Sequence, residues 1–302
     1  DQFSIVHFYA QRIKRIFPAL ATVLIFCLWV GWIALTSGEY KQLGRYTAGG
    51  AAFLNNFLFW RDAGYFDTAA ATKPLLHLWS LAIEEQFYLI WPLLLLACHT
   101  LPHATLKTHG KAVLIGVIFC ASLLYSYQLV GLDLTADFYS PFTRFWELIV
   151  GAALAYQHTQ RSSLKLSERA GLLLAVLGIG LLLLAMAFID QTRAFPGLWA
   201  LLPTLGTACL IAAGPHTYIN KQWLASRPLV WIGLISYPLY LWHWPLLTFA
   251  RIFEGQTPSG AVRCILLLVS VGLAFLTYQF IERPIRFPSS HRKTSKSTVS
   301  IL

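Results

Sequence analysis

Pro74-Leu75-Leu76-His77-Leu78-Trp79-Ser80-Leu81-Ala82-Ile83-Glu84-Glu85-Gln86-Phe87-Tyr88-Leu89-Ile90-Trp91-Pro92-Leu93-Leu94-Leu95-Leu96 is the stretch whose reading decides the fold. From Trp79 onward it is long and apolar enough to cross a bilayer, yet His77 stands before it and Glu84 and Glu85 lie inside it. A carboxylate in a membrane span costs roughly 3 kcal/mol even on the lenient insertion scale, so it normally faces protein or water and often marks chemistry. Residues three and four apart on a helix stack on one face. His77, Ser80 and Glu84, continued by Tyr88 and Trp91, are therefore expected to form one polar stripe pointing into a helical bundle.

The rest of the chain agrees with a membrane protein. Of 302 residues, 57% are hydrophobic and 12% charged, against about 25% charged in soluble domains. The mean hydropathy is +0.59. Apolar runs of about the 20 residues a helix needs to cross the hydrocarbon core lie at 16–35, 79–98, 112–131, 138–157, 170–189, 198–214, 229–250 and 261–281. The expected fold class is all-α, a polytopic integral membrane helical bundle of about eight transmembrane helices. Its bundle domain spans residues 1–283, and residues 284–302 are expected to form a basic, disordered cytoplasmic tail. Residues 1–15 read as a basic cytoplasmic linker.

A ninth run, 45–60, is short and carries Gly49, Gly50, Asn55 and Asn56. If it spanned, Arg12, Lys14 and Arg15 would lie opposite the basic tail, against the preference for Lys and Arg on the cytoplasmic face. Residues 37–78 are accordingly read as external or re-entrant. That choice also puts Lys107, Lys111, Arg161, Lys165, Arg169, Lys221 and Arg227 in the cytoplasm, and Asp133 and Asp137 outside.

The net charge of +10 thus reports orientation in the bilayer, and no nucleic-acid partner is implied. Cys27, Cys98, Cys120, Cys209 and Cys264 are scattered singly without the spacing of a metal site, so no metal is expected.

At 1.5 Å rise per residue, Glu84, Glu85, Arg144, Glu147 and His243 all fall roughly 10 Å or a little more below the outer ends of their spans. Ser236, Tyr240 and His243 share a helix face. Buried polar groups thus gather in the outer half of the membrane, and Arg12 and Arg15 stand at the opposite surface, where an anionic donor from the cytosol could dock.

Each of these residues also has a purely structural reading. Glu84 and Glu85 could hold two helices together through Arg144, and Arg144 and Glu147 could neutralise each other at i, i+3. His243 could be a satisfied core histidine among Trp242, Trp244 and Pro245. His77 could be a general base or an interfacial hydrogen-bonding group, and Arg12 and Arg15 could be orientation anchors.

Arg12-Ile-Lys-Arg15-Ile-Phe-Pro-Ala-Leu, Leu54-Asn-Asn-Phe-Leu-Phe-Trp, Gly64-Tyr-Phe-Asp, the quoted stretch, and Ile232-Gly-Leu-Ile-Ser-Tyr-Pro-Leu-Tyr-Leu-Trp-His-Trp-Pro together resemble the bacterial acyltransferase 3 family. The resemblance covers nearly the whole chain in the expected order. It implies ten helices in the full domain and a bacterial inner-membrane location. It also implies acyl-CoA, most simply acetyl-CoA, as a cytosolic donor and not a permanently bound cofactor, and a glycan acceptor such as O-antigen, peptidoglycan or exopolysaccharide on the far side. Arg12 and Arg15 match the family's Arg-x-x-Arg pair, which bears on the donor.

The family's N-terminal helix pair, whose first helix carries an Arg and a candidate catalytic His, finds no match in residues 1–11. The chain is thus expected to be a fragment or a degenerate member, and a fragment could be inactive alone.

Transfer from a thioester to a sugar hydroxyl needs a base, an oxyanion stabiliser and exclusion of water. Glu84, Glu85, His77, His243, Arg144, Glu147 and Tyr240 are the candidate catalytic set, with Arg144 or Tyr240 stabilising the oxyanion. The rival reading is a proton-coupled transporter or flippase-like carrier using the same buried charges as a path.

Overall fold

The apolar runs become helices, and the boundaries follow local chemistry. The computed structural model describes residues 4–63, 70–100, 104–160, 167–190 and 192–287. Among them the α-helices are α1 (Ile5–Ala34), α2 (Ser37–Ala51), α3 (Asn55–Asp62), α4 (Leu78–Thr100), α5 (Ala104–Leu129), α6 (Leu134–Tyr139), α7 (Pro141–Gln160), α8 (Glu168–Phe188), α9 (Leu201–Ala213), α10 (Arg227–Glu254), α11 (Gly260–Thr277) and α12 (Arg283–Arg286). No strand occurs among the described residues. Among the described residues, five segments are long and apolar enough to cross a membrane: Ile5–Ala34, Leu78–Cys98, Gly110–Leu129, Glu168–Phe188 and Gly260–Arg286. The other three apolar runs are helical as well, in α7, α9 and α10, so the protein is an all-α polytopic membrane protein.

Three features differ from the sequence reading. Residues 5–15 are not a linker but the first turns of α1, which starts at Ile5 because the Ser4 side chain caps it by accepting from the His7 N–H at 3.3 Å. Arg12 and Arg15 therefore stand on one helical surface, Arg12 half-buried and Arg15 exposed. The proposed disordered tail begins in helix, since Arg283–Arg286 form α12; residues 288–302 lie outside the described residues, as does the Gly64-Tyr-Phe-Asp motif. Third, the polar stripe expected on α4 does not point inward as a whole. Glu84 is exposed and Glu85 half-buried, while Leu81, Ala82, Ile83 and Phe87 form the buried face.

The stretch 45–60 does not span. It is broken at 52–54 into α2 of 15 residues and α3 of 8, both shorter than a crossing needs. A capping box at Thr36 and Glu39 starts α2. Its end is a left-handed cap at Phe53, φ 55°, where Leu54 N–H reaches the Gly49 carbonyl at 2.8 Å and Phe53 N–H the Gly50 carbonyl at 3.2 Å. That conformation costs a non-glycine residue about 1–2 kcal/mol. An edge-to-face contact of Phe53 with Phe17, 5.4 Å between centroids, offsets about 1 kcal/mol of it.

The chain divides into two compact units. The first comprises Asp1–Leu58, Gly64–Leu78 and Trp231–Leu302. Within it, α1 carries α2 closely enough that a Cβ on Gly31 would lie 2.4 Å from Leu43. Helix α10 is tied to α1 by the Tyr237 hydroxyl, which donates to the Ile16 carbonyl at 2.8 Å, and by Phe26 against Trp242. Trp242 Nε1 in turn donates to Thr277 of α11 at 2.9 Å.

The second unit comprises Phe59–Ala63 and Trp79–Val230. In it α8 and α9 cross where glycines remove the side chains: a Cβ on Gly178 would lie 2.7 Å from the Gly206 carbonyl oxygen. Lipid is as apolar as leucine, so such close backbone approach, with its dispersion contacts, is what holds helices together there. Helix α5 is keyed to α7 differently. Ser122 Oγ accepts from the Trp146 N–H at 3.0 Å and donates to the Phe142 carbonyl at 2.6 Å. A hydroxyl from one helix thus bridges an N–H and the carbonyl four residues before it on the other.

Candidate functional site

In the first unit the segment preceding α4 is held by the side chains of α10. Trp244 Nε1 donates to the Lys73 carbonyl at 2.9 Å, and the Tyr240 hydroxyl donates to the His77 carbonyl. Positions 240 and 244 are one turn apart, so both reach the same side of the helix. The clasp places His77 against Tyr240 and His243, with ring centroids 5.1 Å and 5.9 Å away.

Proline sets the local chemistry. Pro245 has no N–H, which leaves the Leu241 carbonyl without its helical donor; that carbonyl is the backbone acceptor facing the His77 ring. His77 is buried. Burial first, and the neighbouring His243 second, hold its imidazole well below the ordinary range, so it is neutral. His243 is half-buried, and its Nδ1 lies 3.1 Å from the Leu239 carbonyl. A carbonyl can only accept, so Nδ1 carries a hydrogen, and Nε2 is the ring nitrogen left for another partner.

The sequence reading placed Ser236 on the same face. It is exposed instead, and its hydroxyl closes back on the Gly233 carbonyl at 2.9 Å.

In the second unit, Arg144 Nε lies 3.1 Å from Glu147 Oε1 on α7. The guanidinium also sits over the rings of Trp79 at 5.4 Å, Phe195 at 5.5 Å and Phe138 at 5.9 Å. Asp137, which the sequence analysis read as an external loop acid, is fully buried and electrostatically coupled to both charged residues. Its Oδ2 accepts from the Gly197 N–H at 3.4 Å. Burial raises its carboxyl above the usual range, opposed by Ser126, Gly197 and Arg144. The signal in the sequence was there: Asp133 N-caps α6 through the Ala136 N–H at 2.9 Å, which puts Asp137 one turn on, inside a helix, not in a loop.

Beside these groups α7, α9 and the turn at Gly197–Ala200 border an open cleft of about 360 Å³, lined by Arg144, Glu147 and Phe195 at one part and by mostly apolar side chains elsewhere.

The candidate residues thus fall into two groups. His77, Tyr240 and His243 are brought together in one unit, as are Arg144 and Glu147 in the other, to which Glu84 and Glu85 also belong. Arg12 and Arg15 lie in the first unit, near the start of α1.

Comparison with known proteins gives a consistent family. The model of an acyltransferase domain, that of the acyltransferase 3 family, matches residues 1–279. A Bacillus subtilis protein, YrhL, is 32% identical over 292 residues, covering 92% of this chain and 45% of its own length. A peptidoglycan O-acetyltransferase of Listeria monocytogenes, OatA, is 31% identical over 299 residues, 95% of this chain and 47% of its own. The Staphylococcus aureus O-acetyltransferase OatA is 29% identical over 298 residues, 95% of this chain and 48% of its own. The chain spans about half the length of these curated relatives. No solved structure matches it.

Proposed function

The chain belongs to the acyltransferase 3 family, and on that premise we propose that it transfers an acyl group, most simply acetyl, from cytosolic acyl-CoA to a hydroxyl of an extracytoplasmic envelope glycan. The place of action is the bacterial inner membrane. The relatives named as O-acetyltransferases support this reading, and family membership favours it over a carrier.

The observation that carries the mechanism is His243, whose tautomer the Leu239 carbonyl fixes. Nε2 takes the proton of the acceptor hydroxyl as its oxygen attacks the thioester carbonyl. The C–O bond forms, the C–S bond breaks, and the proton passes from the imidazolium to the departing thiolate. His77, neutral beside it, leaves His243 free of a competing positive charge. The Tyr240 proton is given to the His77 carbonyl, so Tyr240 acts by positioning the segment before α4. Arg12 and Arg15 recognise donor phosphates, for which guanidinium groups are suited.

The test supplies radiolabelled acetyl-CoA to membranes carrying the protein and measures label on envelope glycan for wild type, His243→Ala, His77→Ala, Glu84→Gln and Glu85→Gln at matched expression. Glycan labelling that is lost in His243→Ala supports the reading. No label above membranes lacking the protein, across several acceptor preparations, overturns it.

A further inference from the structure

The cleft of the second unit contains a chemical mismatch. Arg144 Nη1 is a buried donor with no hydrogen-bond partner among the described residues, and Arg144 lines the cleft. Leaving such a donor unmet costs about 1–3 kcal/mol, so the site calls for an acceptor. It does not call for an anion. Glu147 at 3.1 Å and the buried Asp137 already offset the guanidinium charge, and a further negative group would face two carboxyls. An uncharged oxygen fits.

The wall leading away from it, with Val150, Leu154, Ala208 and Ile211, is mostly apolar, interrupted by Thr204 and Thr207, which suits a chain. At about 360 Å³ the space is near the lower end of the roughly 300–1,000 Å³ found for small-molecule sites. A two-carbon acetyl group alone would occupy a small part of it.

We propose that the cleft between α7 and α9 binds an uncharged, carbonyl-bearing chain of the acyl-thioester class, its carbonyl oxygen accepting from Arg144 Nη1 and its chain lying along the apolar wall. This assignment rests on the acyltransferase reading and adds to it a binding place for the chain on either side of the thioester.

The test uses the protein in lipid nanodiscs and a diazirine-bearing octanoyl thioester of N-acetylcysteamine, a probe without the nucleotide that Arg12 and Arg15 would recognise. Labelled positions are mapped after irradiation. Labelling within residues 147–154 and 203–211, competed by the unlabelled thioester, is expected. In Arg144→Lys it falls about tenfold, the loss that a hydrogen bond from a charged donor carries. Gly151→Leu is the second variant: a Cβ at Gly151 meets nothing within 4 Å, so the side chain fills space without straining the fold, and labelling falls while the thermal midpoint holds.

Labelling that spreads evenly over α8 and α11, that Gly151→Leu leaves unchanged, or that phospholipid competes as well as thioester overturns the assignment. If glycan esterification fails while the mapped, competed labelling stands, the acceptor reading falls and the binding site remains.

Discussion

The surroundings of His77 and those of Arg144 bury polar side chains by different means. Around His77 the partners are mostly backbone: the His77 and Lys73 carbonyls accept from Tyr240 and Trp244, and the Leu239 carbonyl accepts from His243. Around Arg144 the partners are charged or aromatic, namely Glu147, Asp137 and three rings. Carbonyl acceptors fix a tautomer without adding charge, which is what a base working near neutral pH requires. A compensated guanidinium keeps a directional donor while presenting little net charge, which suits recognition of an uncharged oxygen. On the proposed function, the difference separates proton handling from binding.

The comparison is most exposed at His243. His243→Ala is expected to lower acyl transfer about a hundredfold to ten-thousandfold, the usual worth of a general base, with little change in thermal midpoint. An equal loss of folded protein would make the residue structural. Next is Gly178→Leu, which forces a side chain toward the Gly206 carbonyl oxygen. It should cost about 3 kcal/mol, read as a lower unfolding midpoint in detergent, and it damages the second unit without touching the imidazoles. Tyr240→Phe removes one hydrogen bond to the His77 carbonyl and is expected to cost about 1 kcal/mol of stability. If the clasp positions His77, the acyl-transfer rate falls with it in the same variant.

A pH series sharpens the contrast further. His77 has a folded-state pKa below its unfolded value of about 6.5. As the pH drops through that value the unfolded chain binds a proton that the folded one refuses, so stability contributed above it is lost on acidification. His77→Gln should flatten that slope, as measured by the unfolding midpoint between about pH 7 and pH 5, the range that brackets the unfolded imidazole pKa. The smallest effect is expected at Gly180→Ala, where a Cβ meets nothing within 4 Å. Its midpoint should not fall, because the two glycines differ in what they face, not in their helix.

Much of the fold was legible because membrane helices must satisfy their backbone internally and keep apolar side chains toward lipid. Eight apolar runs therefore became helices. The short polar-flanked stretch broke where two glycines and two asparagines stood. What was misread depended on neighbours. Glu84 shares the spacing of His77 and Ser80, yet is exposed while His77 is buried, since periodicity shows that a face is polar but not where it points. Asp137 looked like a solvated loop acid until a helical turn and the Gly197 N–H enclosed it. The residue is 60 positions away in the chain, beyond the reach of any local pattern.

By itself the sequence determined a helical membrane protein, the positions of its spans, its family and the residue types available for chemistry, because composition, periodicity and motif are local properties. Tertiary structure decided which carbonyl proline would leave open for His77, which nitrogen of His243 would carry the hydrogen, and which acids would meet Arg144. Those outcomes depend on distances of a few ångströms between residues far apart in the chain, where a hydrogen bond or a desolvated charge is either satisfied or costly.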